Sequence, residues 1–134
     1  MHLTSHDIEC LHAARDMMLK DISIHHTIEQ IATFTTLSPT KLKKGFRQYF
    51  RQVLFEYLET QRLEKAKELM YDRDKSLKQI SSEVGFHYLN NFSGAFKKKY
   101  GMPPTSWRNT LQTIFIFTGQ LLRFFLKLSN FFTI

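Results

Sequence analysis

This chain is written nearly twice. Thr27, Ile28, Ile31 and Leu37 have counterparts of the same character 49 residues later, in Ser76, Leu77, Ile80 and Phe86. Past that point the register becomes 50: Leu42 pairs with Phe92, Gly45 with Ala95, Phe46 with Phe96, Phe50 with Tyr100 and Tyr57 with Trp107. One residue is gained in the second copy, at its turn. Whatever one copy folds into, the other must fold into as well, and both must fit in one small chain. Within each copy the apolar residues recur at three- and four-residue steps, which places them on one face of a helix. No stretch sustains the two-residue alternation of a half-buried strand, and five Gly and three Pro among 134 residues leave little room for loops. Hydrophobic residues make up 43%, enough for a packed core. The predicted fold class is all-α: two helix-turn-helix units joined by a linker helix, followed by an apolar tail whose structure the pattern leaves open.

The helix signals fill in that plan. Residues 5–21 read as a first helix, with Ser5 as its cap and Ile8, Leu11, Ala14 or Arg15, and Met18 along one face. Thr27 with Gln30 forms a capping box for a short helix carrying Ile28 and Ile31. Ser38 and Pro39 stand at the N-cap and first helical positions of "PTKLKKGFRQYF", residues 39–50. Residues 54–72 form a linker helix without Gly or Pro, mixing Glu, Lys and Arg on a solvated face. Leu77 and Ile80 open a short helix that ends at Gly85, a left-handed turn position, and a last helix runs from Tyr88 to Tyr100 before "GMPPTSW" stops it. At about 1.5 Å per residue the linker spans roughly 28 Å, against a groove repeat in duplex DNA of about 34 Å.

DNA enters because of what lies opposite each apolar stripe. Behind Leu42, Phe46 and Phe50 stand Thr40, Lys44, Arg47 and Arg51, with Lys43 on the flank; behind Phe92, Phe96 and Tyr100 stand Asn90, Gly94 and Lys97, flanked by Asn91 and Ser93. Lys and Arg attract phosphates and donate to guanine, Asn pairs with adenine, and Ser or Thr serves either role. One such helix is an ordinary amphipathic helix with a solvated face; two with aligned fronts favour nucleic acid. The net charge of +7 agrees, though an anionic membrane would satisfy it equally.

The segments "RLEKAKELM" (62–70), "SLKQISSEVGF" (76–86) and "FSGAFKKKYGMPPTSWR" (92–108) resemble the DNA-binding domain of AraC/XylS-type bacterial transcription regulators. The resemblance covers about residues 7–108. It implies a homeodomain-like pair of helix-turn-helix units bound to duplex DNA in the bacterial cytoplasm, acting as an activator with RNA polymerase as a further partner. By position it implies base contacts from Thr40, Lys41, Lys43 and Lys44 in the first unit and from Asn90, Asn91, Ser93 and Gly94 in the second. Arg47, Lys97 and Lys98 would lie nearer the phosphates. The chain departs from the family at three points. Arg51 and Leu54 replace the usual Gly and Pro, so a more continuous helix is expected at the first junction. Gly94 is shorter than the polar residue often found there. Relatives also carry a ligand-sensing or dimerising domain for which this chain has no room, and no effector site is evident.

Residues 1–108 are thus expected to form the double helix-turn-helix domain and 109–134 a tail outside it. The tail resembles nothing in the family. From residue 111 on it holds six of the thirteen phenylalanines, interrupted by Arg123 and Lys127. It fits an added helix on the core, an interfacial membrane helix, a dimer contact, or sequence foreign to the domain. That sustains the alternative function, a small basic helical protein at a membrane surface or a partner-binding module. No catalytic motif stands out, so no enzyme activity and no cofactor is expected. His2, His6 and Cys10 are spaced by four but lack a fourth ligand, so no metal is expected. Cys10 reads as a buried apolar residue suited to a reducing cytosol, and no secretory signal is seen. His25 and His26 read as solvent-facing residues of a connection, and His87 as a cap, a phosphate contact or plain surface.

Overall fold

A computed structural model describes residues 1–131. Its helices, in order, are α1 (Ser5–Lys20), α2 (Ile28–Thr35), α3 (Pro39–Phe50), α4 (Leu54–Leu69), α5 (Leu77–Glu83), α6 (Leu89–Tyr100) and α7 (Pro104–Phe131). No strand occurs among the described residues. The caps expected at Thr27 and Ser38 form: Thr27 closes a reciprocal capping box with Gln30 on α2, and Ser38 Oγ accepts from Lys41 N–H at 3.2 Å; Ser76 closes a second box with Gln79 on α5. The first helix is capped by Thr4 rather than Ser5. Asp7 N–H donates to Thr4 Oγ1 at 3.1 Å and Asp7 Oδ2 accepts from Thr4 N–H at 2.9 Å, an exchange that Ser5 would reach one residue too late to make.

Two apolar cores form, one per unit. The first gathers Leu11, Ala14, Met18, Ile31, Leu42, Phe46, Leu54 and Leu58; the second Leu63, Ala66, Met70, Ile80, Val84, Phe92 and Phe96. The linker α4 therefore lends its first half to one core and its second half to the other. This exposes a further repeat at a third register. Leu11, Ala14 and Met18 of α1 correspond to Leu63, Ala66 and Met70, 52 residues on, and all six are buried. The likeness reaches the rims: Arg15 lies 5.6 Å from the centroid of the Phe50 ring, and Lys67 lies 4.5 Å from that of Tyr100. Each unit is thus three helices, α1–α2–α3 and the second half of α4 with α5 and α6.

Both units turn at the same two places. Thr36 (φ 61°) and Gly85 (φ 103°) end the first helix of each pair in the left-handed region; Arg51 (φ 60°) and Gly101 (φ 81°) end the second. The more continuous helix expected at the first junction is not found. Arg51 takes up the conformation for which the second copy uses glycine, because Leu54 must re-enter the core three residues later and a straight helix would carry it away. The linker also stops at Leu69, short of the expected residue 72, and so spans about 24 Å. Past it Met70 is buried, and the carbonyls of Met70, Asp72 and Lys75 accept from the Arg108 guanidinium at 3.3, 2.8 and 2.7 Å.

Gly101 closes α6, and Pro104 starts α7 at the position where Leu54 starts α4. α7 runs through residue 108 without a break. Packing, rather than the backbone, changes there: Trp107 packs on the second core, while Ile114, Phe115, Phe117, Leu122 and Phe125 are all more than half exposed. Residues 132–134 lie outside the described part of the tail.

Candidate nucleic-acid interface

The two second helices of the units, α3 and α6, carry the predicted residues. Phe46 and Phe96, each fully buried, anchor them from behind. Leu42 and Phe92 do the same one turn earlier. Gly45 is small for a packing reason: a Cβ there would come within 3.3 Å of the Leu3 side chain and 3.4 Å of Leu11. With the back of each helix fixed, the front is set by helical geometry. Thr40, Lys43, Lys44 and Arg47 are exposed along α3; Asn90, Asn91, Gly94, Lys97 and Lys98 are exposed along α6, with Ser93 half-buried. Thr40 and Asn90, Lys43 and Ser93, Lys44 and Gly94, Arg47 and Lys97 are copy-equivalent pairs at the register of 50.

Lys41 is placed differently from its neighbours. Its ammonium lies 2.7 Å from Oδ1 of the buried Asp7, so it points back to α1 and away from the exposed stripe. The Lys41 hydrogen bond, aided by the Thr4 backbone, lowers Asp7 from an ordinary carboxyl value of 3.8 to about 2. The pair ties α3 to α1 and so holds the exposed stripe of α3 in place. Its counterpart in the second unit is the exposed Asn91. There α6 is tied to α4 instead by Tyr100, whose hydroxyl donates to Glu64 at 2.5 Å. Burial, with the Glu64 carboxylate, raises the Tyr100 phenol well above its usual range.

Gly94 is the reverse of Gly45. Nothing lies within 4 Å of the Cβ it lacks, so no protein neighbour requires a glycine there. A bare backbone on an exposed helix face is a place where another molecule can approach closely. Charge is also uneven. Residues 84–134 hold six Lys and Arg and no Asp or Glu, so six of the seven net positive charges fall there.

One expectation is corrected. His25 does not simply face solvent: its Nε2–H donates to the Gly85 carbonyl at 2.7 Å, and its ring stacks on His87 with centroids 4.4 Å apart. His87, weighed as a cap, a phosphate contact or plain surface, is exposed and is that ring's stacking partner. Sequence periodicity missed the His25 bond because it spans 60 residues and ends on a carbonyl, which leaves no mark in a side-chain pattern. Near the N-terminus His6 Nε2 lies 3.6 Å from Cys10 Sγ, and no group of three metal-binding side chains converges among the described residues.

Residues 31–110, more than half of the chain, match the profile of a helix-turn-helix domain family, the AraC-type one. The chain belongs to the AraC-type helix-turn-helix family. An uncharacterized transcriptional regulator of Bacillus subtilis, YobQ, is 33% identical over 85 residues, covering 63% of this chain and 35% of the relative. The xylose operon regulatory protein of Escherichia coli K12 is 26% identical over 102 residues, 76% of this chain and 25% of that protein. This AraC-type chain therefore spans only a quarter to about a third of these relatives. Among solved structures, an AraC-type regulator from Chromobacterium violaceum superposes with TM-score 0.70 at 25% identity, covering 79% of this chain and 95% of that one. The DNA-binding domain of AdpA, solved with a target DNA, shares the fold at TM-score 0.72 and 21% identity, over 77% and 93% of the two chains.

Proposed function

We propose that this AraC-type chain binds duplex DNA sequence-specifically as the DNA-reading part of a bacterial transcription regulator, presenting α3 and α6 to successive major-groove segments. One observation carries the reading: two copy-equivalent helices, anchored by the buried Leu42 and Phe46 in α3 and by Phe92 and Phe96 in α6, expose matched rows of cationic, hydroxyl and amide side chains. Thr40, Lys43 and Lys44 in α3, and Asn90, Asn91, Ser93 and the backbone at Gly94 in α6, contact bases; Arg47, Lys97 and Lys98 contact phosphates. Lys41 acts from behind through Asp7. On family grounds the cytoplasm is its place and RNA polymerase a further partner. Titration of random and selected duplexes at several salt concentrations tests the reading. Affinity should fall steeply with salt, and a selected sequence should exceed random DNA by about a thousandfold. Equal affinity for all duplexes would sink it.

The DNA-reading domain, in the same proposal, ends near the point where α7 leaves the second core. α7 is long and apolar enough to cross a membrane, and its apolar stretch is unburied, the Phe115 ring meeting the exposed Tyr71 edge-on at 6.0 Å. A chain shortened after Gln112 keeps Trp107 and the Arg108 brace. It should melt cooperatively, bind DNA as the full chain does, and scatter less light at high concentration. Loss of cooperative melting would show that the tail belongs to the domain.

A further inference from the structure

The connection between α1 and α2 is longer than its counterpart. From Met18 to the cap Thr27 is nine residues, whereas from Met70 to the cap Ser76 is six. The surplus does not hang free. Asp21 folds it back by accepting from Ser23 N–H at 3.0 Å and from the Ser23 hydroxyl at 2.5 Å. Ile22 then packs against both apolar cores at once. The Ile22 and Ile24 carbonyls accept from Nε and Nη2 of Arg62, in the linker helix, at 2.6 and 3.2 Å. His25, next along, donates to Gly85 in the turn of the second unit.

Gly85 shows how close this approach is. A Cβ there would lie 2.8 Å from Arg62 Nε, 2.9 Å from Ser23 Cα and 3.0 Å from the Ile22 oxygen. Three elements, the first unit's connection, the linker and the second unit's turn, therefore meet around one guanidinium. Burial lowers Arg62 from its ordinary value while Glu59 opposes the change. Arg108 offers the contrast. It braces the α4–α5 connection in the same manner, but its acceptors all belong to the second unit's own connection. The Arg62 junction is the brace that joins one unit to the other.

We propose that Arg62, with His25, acts as a positioning group that fixes the separation and rotational phase of α3 and α6, so that the chain selects one spacing between its two base clusters. The proposal rests on the two-helix DNA reading above. Each added base pair moves the second cluster by about 3.4 Å along the axis and turns it by roughly a tenth of a turn, so a rigid junction penalises a wrong spacing and a loose one tolerates it.

The test uses the full chain and duplexes carrying its selected site, with base pairs inserted or removed between the two clusters. Wild type should prefer one spacing by about tenfold or more, and Arg62→Ala should flatten that preference to within about threefold. Arg62→Lys, which keeps the charge but not the fork, should restore it in part. His25→Ala removes the bond to Gly85 and the stacking on His87, leaves the Arg62 bonds in place, and serves if Arg62→Ala fails to fold. Variants that melt cooperatively yet keep the wild-type spacing profile would overturn the proposal. So would a uniform loss at every spacing, which marks a stabilising role alone, or a wild type that binds its site specifically without regard to spacing. A wild type with no specific binding would bring down the DNA reading itself.

Discussion

The two helix-turn-helix units have one plan and different chemistry at equivalent points. The first turns through Thr36 and Arg51, residues that resist the left-handed region; the second turns through Gly85 and Gly101. The first fixes its reading helix to α1 by the Asp7–Lys41 ion pair, the second to α4 by the Tyr100–Glu64 hydrogen bond. The first exposes mostly cations, the second mostly amides followed by lysines. Packing tolerates these swaps because the apolar stripe sets the path of the chain, and turns and ties adjust around it. The pair also shows where no swap is open: Gly85 lies under the Arg62 junction, with Arg62, Ser23 and Ile22 atoms filling the space of a Cβ.

That difference predicts the largest effect. Gly85→Ala meets both a positive φ and backbone atoms within 3 Å, and should cost about 3–5 kcal/mol in chemical denaturation. Gly101→Ala, with a positive φ but open space, should cost only about 1 kcal/mol. Equal losses at both sites would mean that the junction contributes nothing to the difference.

Next comes acid. The folded Asp7 carboxyl titrates at about 2, below its ordinary 3.8, so its stabilisation is complete above about pH 4 and is lost as pH falls toward 2. Asp7→Asn should remove that part of the acid dependence and loosen the first unit at neutral pH, as followed by hydrogen exchange in α1 and α3. No corresponding step should come from Tyr100 itself, whose phenol is a neutral donor throughout this range.

On DNA the units should fail in different ways. Arg47→Ala should weaken all sequences alike and lower the salt slope by about one, whereas Asn90→Ala should relax preference at one or two base pairs at a cost of about 1–3 kcal/mol. Selection from random duplexes with each variant distinguishes the two outcomes, and the reverse pattern would exchange the roles assigned to the units.

The smallest effects are gains. Gly94→Ala should stabilise α6 by about 1 kcal/mol in thermal melts, since nothing occupies its Cβ position, while reducing affinity if DNA approaches the backbone there. Arg51→Gly, giving the first unit the residue type that the second uses, should be neutral or stabilising by about 0.5–1 kcal/mol. A clear loss would show that the Arg51 side chain has a task beyond its backbone.

Much of this was readable from residues alone. The helices, the buried rows of Phe46 and Phe96 and the outward rows of α3 and α6 follow from periodicity, because burial on a helix repeats with its turn, and the capping box at Thr27 follows from the Gln three residues on. The register of 52 linking Leu11, Ala14 and Met18 to Leu63, Ala66 and Met70 was hidden by connections of unequal length. Tertiary structure decided the rest. It turned Lys41 inward to Asp7, bent the chain at Arg51, and brought Arg62 and His25 to carbonyls 40 and 60 residues away. The physical reason is the kind of partner involved. Apolar spacing records which side chains leave water, but a backbone carbonyl accepts a bond wherever the fold leaves it exposed, and every residue carries one.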